Sequence, residues 1–330
     1  MSSVHLIATG GTIAMAKDPA AGGAVLSLGG SDLASALRSL ALPIVPALTS
    51  EEYGPLPSCQ FTVDHLWGLR QRVVECLAQT RAHDSDGIQG IVITHGTDTL
   101  EETAYLLDLT VPSSTPIVVT GAMRVASDPG YDGYANLIAA VRVAASAEAE
   151  NLGTLVVLND EIHSARDVTK THSQSLDTFQ SPSWGPIGRV EAERVVFTRR
   201  VQRQVLECPS LEPGVLLVKL AVGMDAGILR LAVSNGARGV VIEAFGGGRV
   251  PPWWLDPIRQ AVSSGVAVAI TSRCAAGSLG DPYRYTGAYK DLVEAGCLIA
   301  NGLNGQKARI KLMAALGASC DPVTVRLLFG

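Results

Sequence analysis

No apolar run in this chain of 330 residues reaches the roughly 18 that a membrane-spanning helix needs. The mean hydropathy of +0.25 therefore points to large buried cores, and a soluble chain is expected. The opening residues lack a basic region followed by an apolar stretch and a small-residue cleavage site, because a strand-like run already begins at Val4. Nothing in them directs export, so a cytoplasmic location is the expectation. Cysteine is sparse and scattered: Cys59, Cys76, Cys208, Cys274, Cys297 and Cys320 form no C-x-x-C pair and no metal-type spacing to histidine. Buried or incidental thiols in a reducing compartment fit that pattern. The net charge of −5 comes without a basic block, which leaves no electrostatic footprint for nucleic acid and points to a small-molecule partner. There is no G-x-G-x-x-G after the first strand, no P-loop lysine pattern and no G-x-S-x-G elbow, which argues against dinucleotide binding and serine hydrolysis. No solenoid-type repeat or low-complexity tract is present either.

What is present is an alternation. Continuous apolar runs at Val4 to Ala8, Gly90 to Thr94, Pro116 to Thr120 and Thr154 to Leu158 are separated by helical periodicity, as at Leu100 to Leu109 and Ala135 to Ala145. Strands apolar on both faces belong to a parallel sheet covered on both sides, so the fold class is α/β. The chain exceeds the roughly 250 residues at which single cores stop growing, so two domains are expected. The first is a larger N-terminal doubly wound domain with a mainly parallel sheet, residues 1–190. Residues 191–212 are charged and irregular, with Arg199, Arg200, Arg203 and Pro209, and read as a linker. Residues 213–330 resume the alternation at Val215 to Leu220, Gly239 to Ala244 and Val266 to Ser272, with a terminal helix at Gln306 to Leu316, and read as a smaller C-terminal α/β domain. Ala20 to Gly30 is the most loop-like stretch near a candidate site and is suited to a lid.

Two strand-end loops carry chemistry. The first run leads into Thr9-Gly10-Gly11-Thr12, and the second into His95-Gly96-Thr97-Asp98. In an open parallel sheet such loops line the ligand crevice at the carboxyl ends of the strands. Hydroxyls, a carboxylate and glycines gathered there suit an amide hydrolase with a threonine nucleophile. Gly10 and Gly11 let backbone N–H groups approach a ligand, and Thr12 follows at once; the alternative is a Gly-Gly turn whose threonine caps the next element. A third strand is followed by Arg166-Asp167-Val168-Thr169-Lys170-Thr171, which brings a lysine to the same edge. A threonine hydroxyl needs a base, and a relay of Thr97, Lys170 and Asp98 would supply one; the alternative is a surface Asp–Lys ion pair. Thr99 with Glu102 matches a capping box for a helix starting after Asp98. In Gly121-Ala122-Met123-Arg124 the small residues admit a substrate against backbone, and Arg124 is placed either to attract a carboxylate or to pair with Asp128. Ser58 and Cys59 lie in an extended stretch after Pro55 and Pro57, where a hydroxyl can meet a substrate's charged groups.

Taken together, Ala8 to Ala14, Ile93 to Ala104, Gly121 to Arg124, Arg166 to Thr171 and Lys307-Ala308-Arg309 resemble the bacterial-type L-asparaginase family over nearly the whole chain. The resemblance implies hydrolysis of L-asparagine to L-aspartate and ammonia without metal or organic cofactor. By motif, Thr12 would attack the side-chain amide carbon to give an acyl-enzyme, with Thr97, Lys170 and Asp98 as the second catalytic group. Gly11, Ser58, Cys59, Gly96, Thr97, Asp98 and Ala122 would bind substrate, with Asp98 on the α-ammonium and Ser58 on the α-carboxylate. It also implies a homotetramer built as a dimer of dimers. A glutaminase-asparaginase of broader specificity, an ammonia-producing amidotransferase subunit and a non-catalytic amino-acid sensor are the alternatives. Two departures stand out. Ala14 to Gly30 holds no tyrosine where many members have one, and Asp281 to Lys290 holds Tyr283, Tyr285 and Tyr289 but no glutamate where relatives offer an acid to a neighbouring subunit.

Overall fold

A computed structural model describes residues 3–39, 47–81, 87–192 and 194–329. The chain divides into two compact units, Met1–Val205 and Leu206–Gly330. The first runs β1 (Ser3–Ala8), β2 (Met15–Asp18), β3 (Gly23–Leu26), α1 (Gly30–Ser39), β4 (Ala47–Glu52), α2 (Val63–Arg81), β5 (Ile88–Thr94), α3 (Leu100–Thr110), β6 (Ile117–Thr120), α4 (Gly133–Ala144), β7 (Thr154–Leu158), β8 (Glu161–Ser164), β9 (Thr169–Lys170), β10 (Phe179–Gln180), β11 (Gly188–Glu191) and β12 (Arg194–Phe197). Eight of these strands form one sheet in the order β12-β11-β8-β7-β6-β5-β1-β4. From β4 to β7 the pairing is parallel, and from β7 to β12 it is antiparallel.

The apolar runs are continuous because both faces of the sheet are buried. Val4, Leu6, Val92, Val118, Leu155 and Val157 face one core with side chains of α1 and α4, while Ile7, Ile91, Ile93, Val119, Val156 and Leu158 face another with side chains of α2 and α3. Alternate residues of each strand thus serve opposite cores, as the period-two geometry of a strand requires. Counted in chain order, the five parallel strands lie 2-1-3-4-5, so the winding direction reverses between β1 and β5. A doubly wound sheet opens its ligand crevice at that reversal. The two strands whose loops carry the threonines are the two that flank it.

The second unit holds β13 (Val215–Lys219), α5 (Gly227–Ser234), β14 (Gly239–Ala244), α6 (Pro252–Ser263), β15 (Ala267–Ser272), α7 (Tyr289–Glu294), β16 (Leu298–Ile299), α8 (Gly305–Ala318) and α9 (Pro322–Phe329). Its four strands are all parallel, in chain order. Trp254, Leu229, Ile242 and Ile270 are fully buried at the centre of its core.

Three local expectations change. Part of Ala20 to Gly30 is not loop but the second strand of the β2–β3 hairpin, with Met15 opposite Leu26. Its strand residues are exposed on both faces, so no apolar alternation marks them. The stretch read as a linker contains β12, the edge strand of the large sheet, paired in register with β11. Two of the arginines that made it look irregular tie backbone down: Arg203 Nη2 donates to the carbonyls of Asp108 (2.5 Å) and Val111 (3.0 Å), and Arg199 Nη2 to that of Gly185 (2.7 Å). Ser58 and Cys59 sit in a short 3₁₀ turn, Ser58–Gln60, rather than in extended chain.

Candidate functional site

The loops after β1 and β5 meet backbone to backbone. Gly11 has φ of 80°, a left-handed conformation, and a Cβ there would lie 2.4 Å from both N and Cα of Gly96. A Cβ on Gly96 would in turn lie 2.7 Å from Cβ and Oγ of Ser58, and one on Gly121 would lie 2.5 Å from the His95 carbonyl and 3.3 Å from Cγ2 of Thr97. Glycine is required here because side chains would prop the loops apart. Four segments far apart in sequence therefore converge within van der Waals contact, and Thr12 enters its 3₁₀ turn directly after the Gly11 contact. Cross-links hold the strand ends: Thr9 donates to the Thr94 carbonyl through both N (3.1 Å) and Oγ1 (2.9 Å).

Lys170 reaches this point from β9. Its Nζ donates to Thr97 Oγ1 (2.9 Å) and to Asp98 Oδ1 (2.8 Å). The Lys170 side chain is 16% exposed and that of Asp98 64%, while Thr97 is buried. A bare surface ion pair would leave the lysine in water; here the lysine is largely shielded and shared with a buried hydroxyl, while the carboxylate stays exposed. Thr97 and Asp98 lie just before α3, where the helix N-terminus favours negative charge.

The residues around the three are anchors. Thr99 sits at the N-cap of α3, but its hydroxyl does not close the expected capping box; it donates to the Ser58 carbonyl (3.0 Å) and so pins the Ser58–Gln60 turn to the helix. His95 is fully buried, with Phe61 edge-on at 4.8 Å. Its Nδ1 donates to the Gly96 carbonyl (2.8 Å), which leaves Nε2 to accept from Thr103 Oγ1 (2.9 Å). Burial pushes its pKa down to about 4, so the ring is neutral and this tautomer is fixed. Asp132 accepts from the backbone N–H groups of Met123 (3.0 Å) and Arg124 (2.9 Å), and Asn136 donates to the Gly121 carbonyl (3.0 Å), which fixes the Gly121–Arg124 segment.

Of the residues expected at the site, Gly11, Ser58, Gly96, Thr97, Asp98 and Lys170 are linked by these contacts. Cys59 is exposed. The Ala122 methyl is part of the hydrophobic core, so only its backbone can face a ligand. Arg124 donates to the carbonyl of Gly130 (3.0 Å), and Asp128, its expected partner, pairs with Lys17 instead. A tyrosine does reach the segment after Thr12, from elsewhere in the chain: Tyr131 Oη donates to the Ile13 carbonyl (2.6 Å), and burial keeps that phenol protonated. His95 and Glu101 lie inside the second motif, yet their roles depend on contacts across the fold that the sequence does not show.

Among the described residues, His5, Glu51 and Cys76 bring three possible metal-ligating atoms within 4.8 Å of one another. Arg72 already forks onto both oxygens of Glu51 (2.8 and 2.7 Å), and burial pushes the Cys76 thiol up to about 11. A guanidinium on the carboxylate and a protonated thiol suit an ion-pair network, not a cation.

Comparison with known proteins follows the same division. The family described as Asparaginase, N-terminal matches residues 3–203, and the Glutaminase/Asparaginase C-terminal domain matches residues 214–329. An L-asparaginase of Bacillus licheniformis is 36% identical over 96% of this chain and 95% of its own. A glutaminase-asparaginase of Pseudomonas aeruginosa is 32% identical over 100% of this chain and 90% of its own. Among solved structures, a probable cytoplasmic L-asparaginase from Campylobacter jejuni superposes with a TM-score of 0.85 at 30% identity, covering 100% of this chain and 99% of that one.

Proposed function

Because the chain belongs to the asparaginase family, we propose that it is an amidohydrolase that converts L-asparagine to L-aspartate and ammonia through an acyl-enzyme on Thr12. The observation that carries this reading is the Lys170–Thr97–Asp98 cluster beside the Gly11–Gly96 contact, with Lys170 and Thr97 shielded and Asp98 open to solvent. In the first half-reaction Thr12 Oγ forms a bond to the side-chain amide carbon, and ammonia leaves with the proton. In the second, water cleaves the ester, releases aspartate and restores the hydroxyl. Lys170 and Thr97 handle the proton of the attacking oxygen, and Asp98 orients Lys170 while its exposed carboxylate faces the substrate ammonium. Ser58 contacts the α-carboxylate. N–H groups of the Gly10–Gly11 turn and of the backbone near Thr97 stabilise the oxyanion, an effect that generally supplies about 3 kcal/mol per donor.

The Pseudomonas relative's name is the reason to keep glutamine as a second substrate. Ammonia release by the purified protein, measured with L-asparagine and L-glutamine side by side from micromolar to millimolar concentration, tests both readings. Turnover of asparagine is expected; comparable turnover of glutamine would replace the narrow reading with the broader one, and release from neither would favour an amino-acid sensor. The assembly we propose is a homotetramer. Apolar side chains left exposed on the second unit, Val222, Leu231 and Trp253 among them, support self-association. The cytoplasm is the proposed location.

A further inference from the structure

We infer that Glu101 is a positioning residue for Lys170, an inference that rests on Lys170 acting on Thr97. Glu101 lies in the first turn of α3 and is 4% exposed. A carboxylate so deeply buried is costly unless it is hydrogen-bonded, and its bonds run to the lysine's own segment. Glu101 Oε1 accepts from Thr169 Oγ1 (2.9 Å) and from the backbone N–H of Lys170 (3.2 Å).

The need for such an anchor follows from β9. It is two residues long and pairs with the equally short β10, with Lys170 opposite Phe179 and Thr169 opposite Gln180. Beyond that short ladder Thr171 N donates to the Thr178 carbonyl (2.8 Å), which fastens the C-terminal side of Lys170 and leaves its own N–H and Thr169 to Glu101. Thr97 and Asp98, the acceptors for Lys170 Nζ, lie four and three residues before Glu101. The same end of α3 therefore carries both Nζ acceptors and the acceptor that holds the lysine's backbone. Glu101 closes that circuit and sets the distance from Nζ to Thr97 Oγ1. Misplacement by about 1 Å commonly costs on the order of 100-fold in turnover.

Reach and charge can be separated by substitution. Glu101→Gln keeps the length and the Oε1 acceptor but loses the charge, while Glu101→Asp keeps the charge and withdraws the acceptor by one methylene. For ammonia release from L-asparagine we expect Glu101→Gln to stay within about threefold of wild-type kcat. Glu101→Asp and Glu101→Ala should each lose about tenfold or more in kcat, with KM within about threefold. Thr169→Val removes the Thr169 Oγ1 bond without touching the carboxylate; it should lose a few-fold in kcat, and it serves if Glu101→Ala does not fold. Folding and assembly of every variant are checked by circular dichroism and sedimentation. Glu101→Asp at wild-type kcat, Glu101→Gln as impaired as Glu101→Ala, or a loss confined to KM would each overturn the inference. Lys170→Met, measured alongside, separates the two levels. If it is impaired while Glu101→Ala is not, the inference alone fails; if Lys170→Met keeps wild-type kcat, the reading of the site fails and takes the inference with it.

Discussion

The proposed action of Lys170 on a threonine hydroxyl requires that water compete little for it, and its side chain is 16% exposed with Nζ bonded to Thr97 and Asp98. Replacing Lys170 by methionine keeps the bulk and removes the proton chemistry, so kcat is expected to fall by about 10²- to 10⁴-fold with KM little changed. Steady-state kinetics on L-asparagine checks it; a change in KM alone would make Lys170 a binding residue. His95 sets a second expectation. Its ring ordinarily titrates near 6.5 and in the fold at about 4, so as pH falls the unfolded chain takes up this proton first. Stability is then lost progressively below about pH 6.5 and down to pH 4, by about 2 kcal/mol between pH 7 and pH 4.5 from this group. Denaturant unfolding at the two pH values should show a smaller difference in His95→Gln than in the wild type. At this scale Thr97, Asp98 and Lys170 were legible in the sequence as chemically apt residues at strand ends. His95 and Glu101 were not, since a buried imidazole or carboxylate in a motif looks alike whether it binds, catalyses or braces.

The glycine contacts at Gly11, Gly96 and Gly121 make the site a property of elements rather than of side chains. Gly11→Ala would place a methyl 2.4 Å from Gly96 at positive φ (80°), whereas Gly22, also at positive φ (67°), has nothing within 4 Å of its Cβ position. Gly22→Ala should therefore cost only the local strain, about 1 kcal/mol, and keep full activity. Gly11→Ala should lose about 100-fold or more in kcat/KM as the loops separate. Equal effects of the two substitutions, in paired melting and activity measurements, would contradict the contact as the determinant. The parallel strands were readable because both faces of each are buried, so their runs are unbroken. The β2–β3 hairpin was not, because β3 is mostly exposed and β2 only half-buried, and its fixation comes from other segments: Ala126 N donates to the Met15 carbonyl (2.7 Å), and Lys17 N to Ser127 Oγ (2.9 Å). Thr99 shows the same limit, since its spacing to Glu102 fits a cap while its hydroxyl serves the Ser58 turn. β12 was hidden by arginines whose job is to hold carbonyls.

For the whole molecule, alternation of strands and helices foretold two α/β units, and the sheet order adds what no sequence pattern carried: the reversal of winding falls between β1 and β5, where the threonine loops leave. Assembly is the least legible level, because exposed apolar residues acquire meaning only beside a second copy. Sedimentation velocity should find a species of four 34.4 kDa chains, and Leu231→Glu with Val222→Glu should shift it toward smaller species; a wild-type monomer at micromolar concentration would contradict the proposed tetramer. The central claim, acyl transfer through Thr12, is tested most directly by adding hydroxylamine to the asparagine reaction, since an ester intermediate is intercepted as the aspartyl hydroxamate. Wild type should form the hydroxamate and ammonia, and Thr12→Ala neither; hydroxamate and ammonia at wild-type rates from Thr12→Ala would show that the acyl group is carried elsewhere.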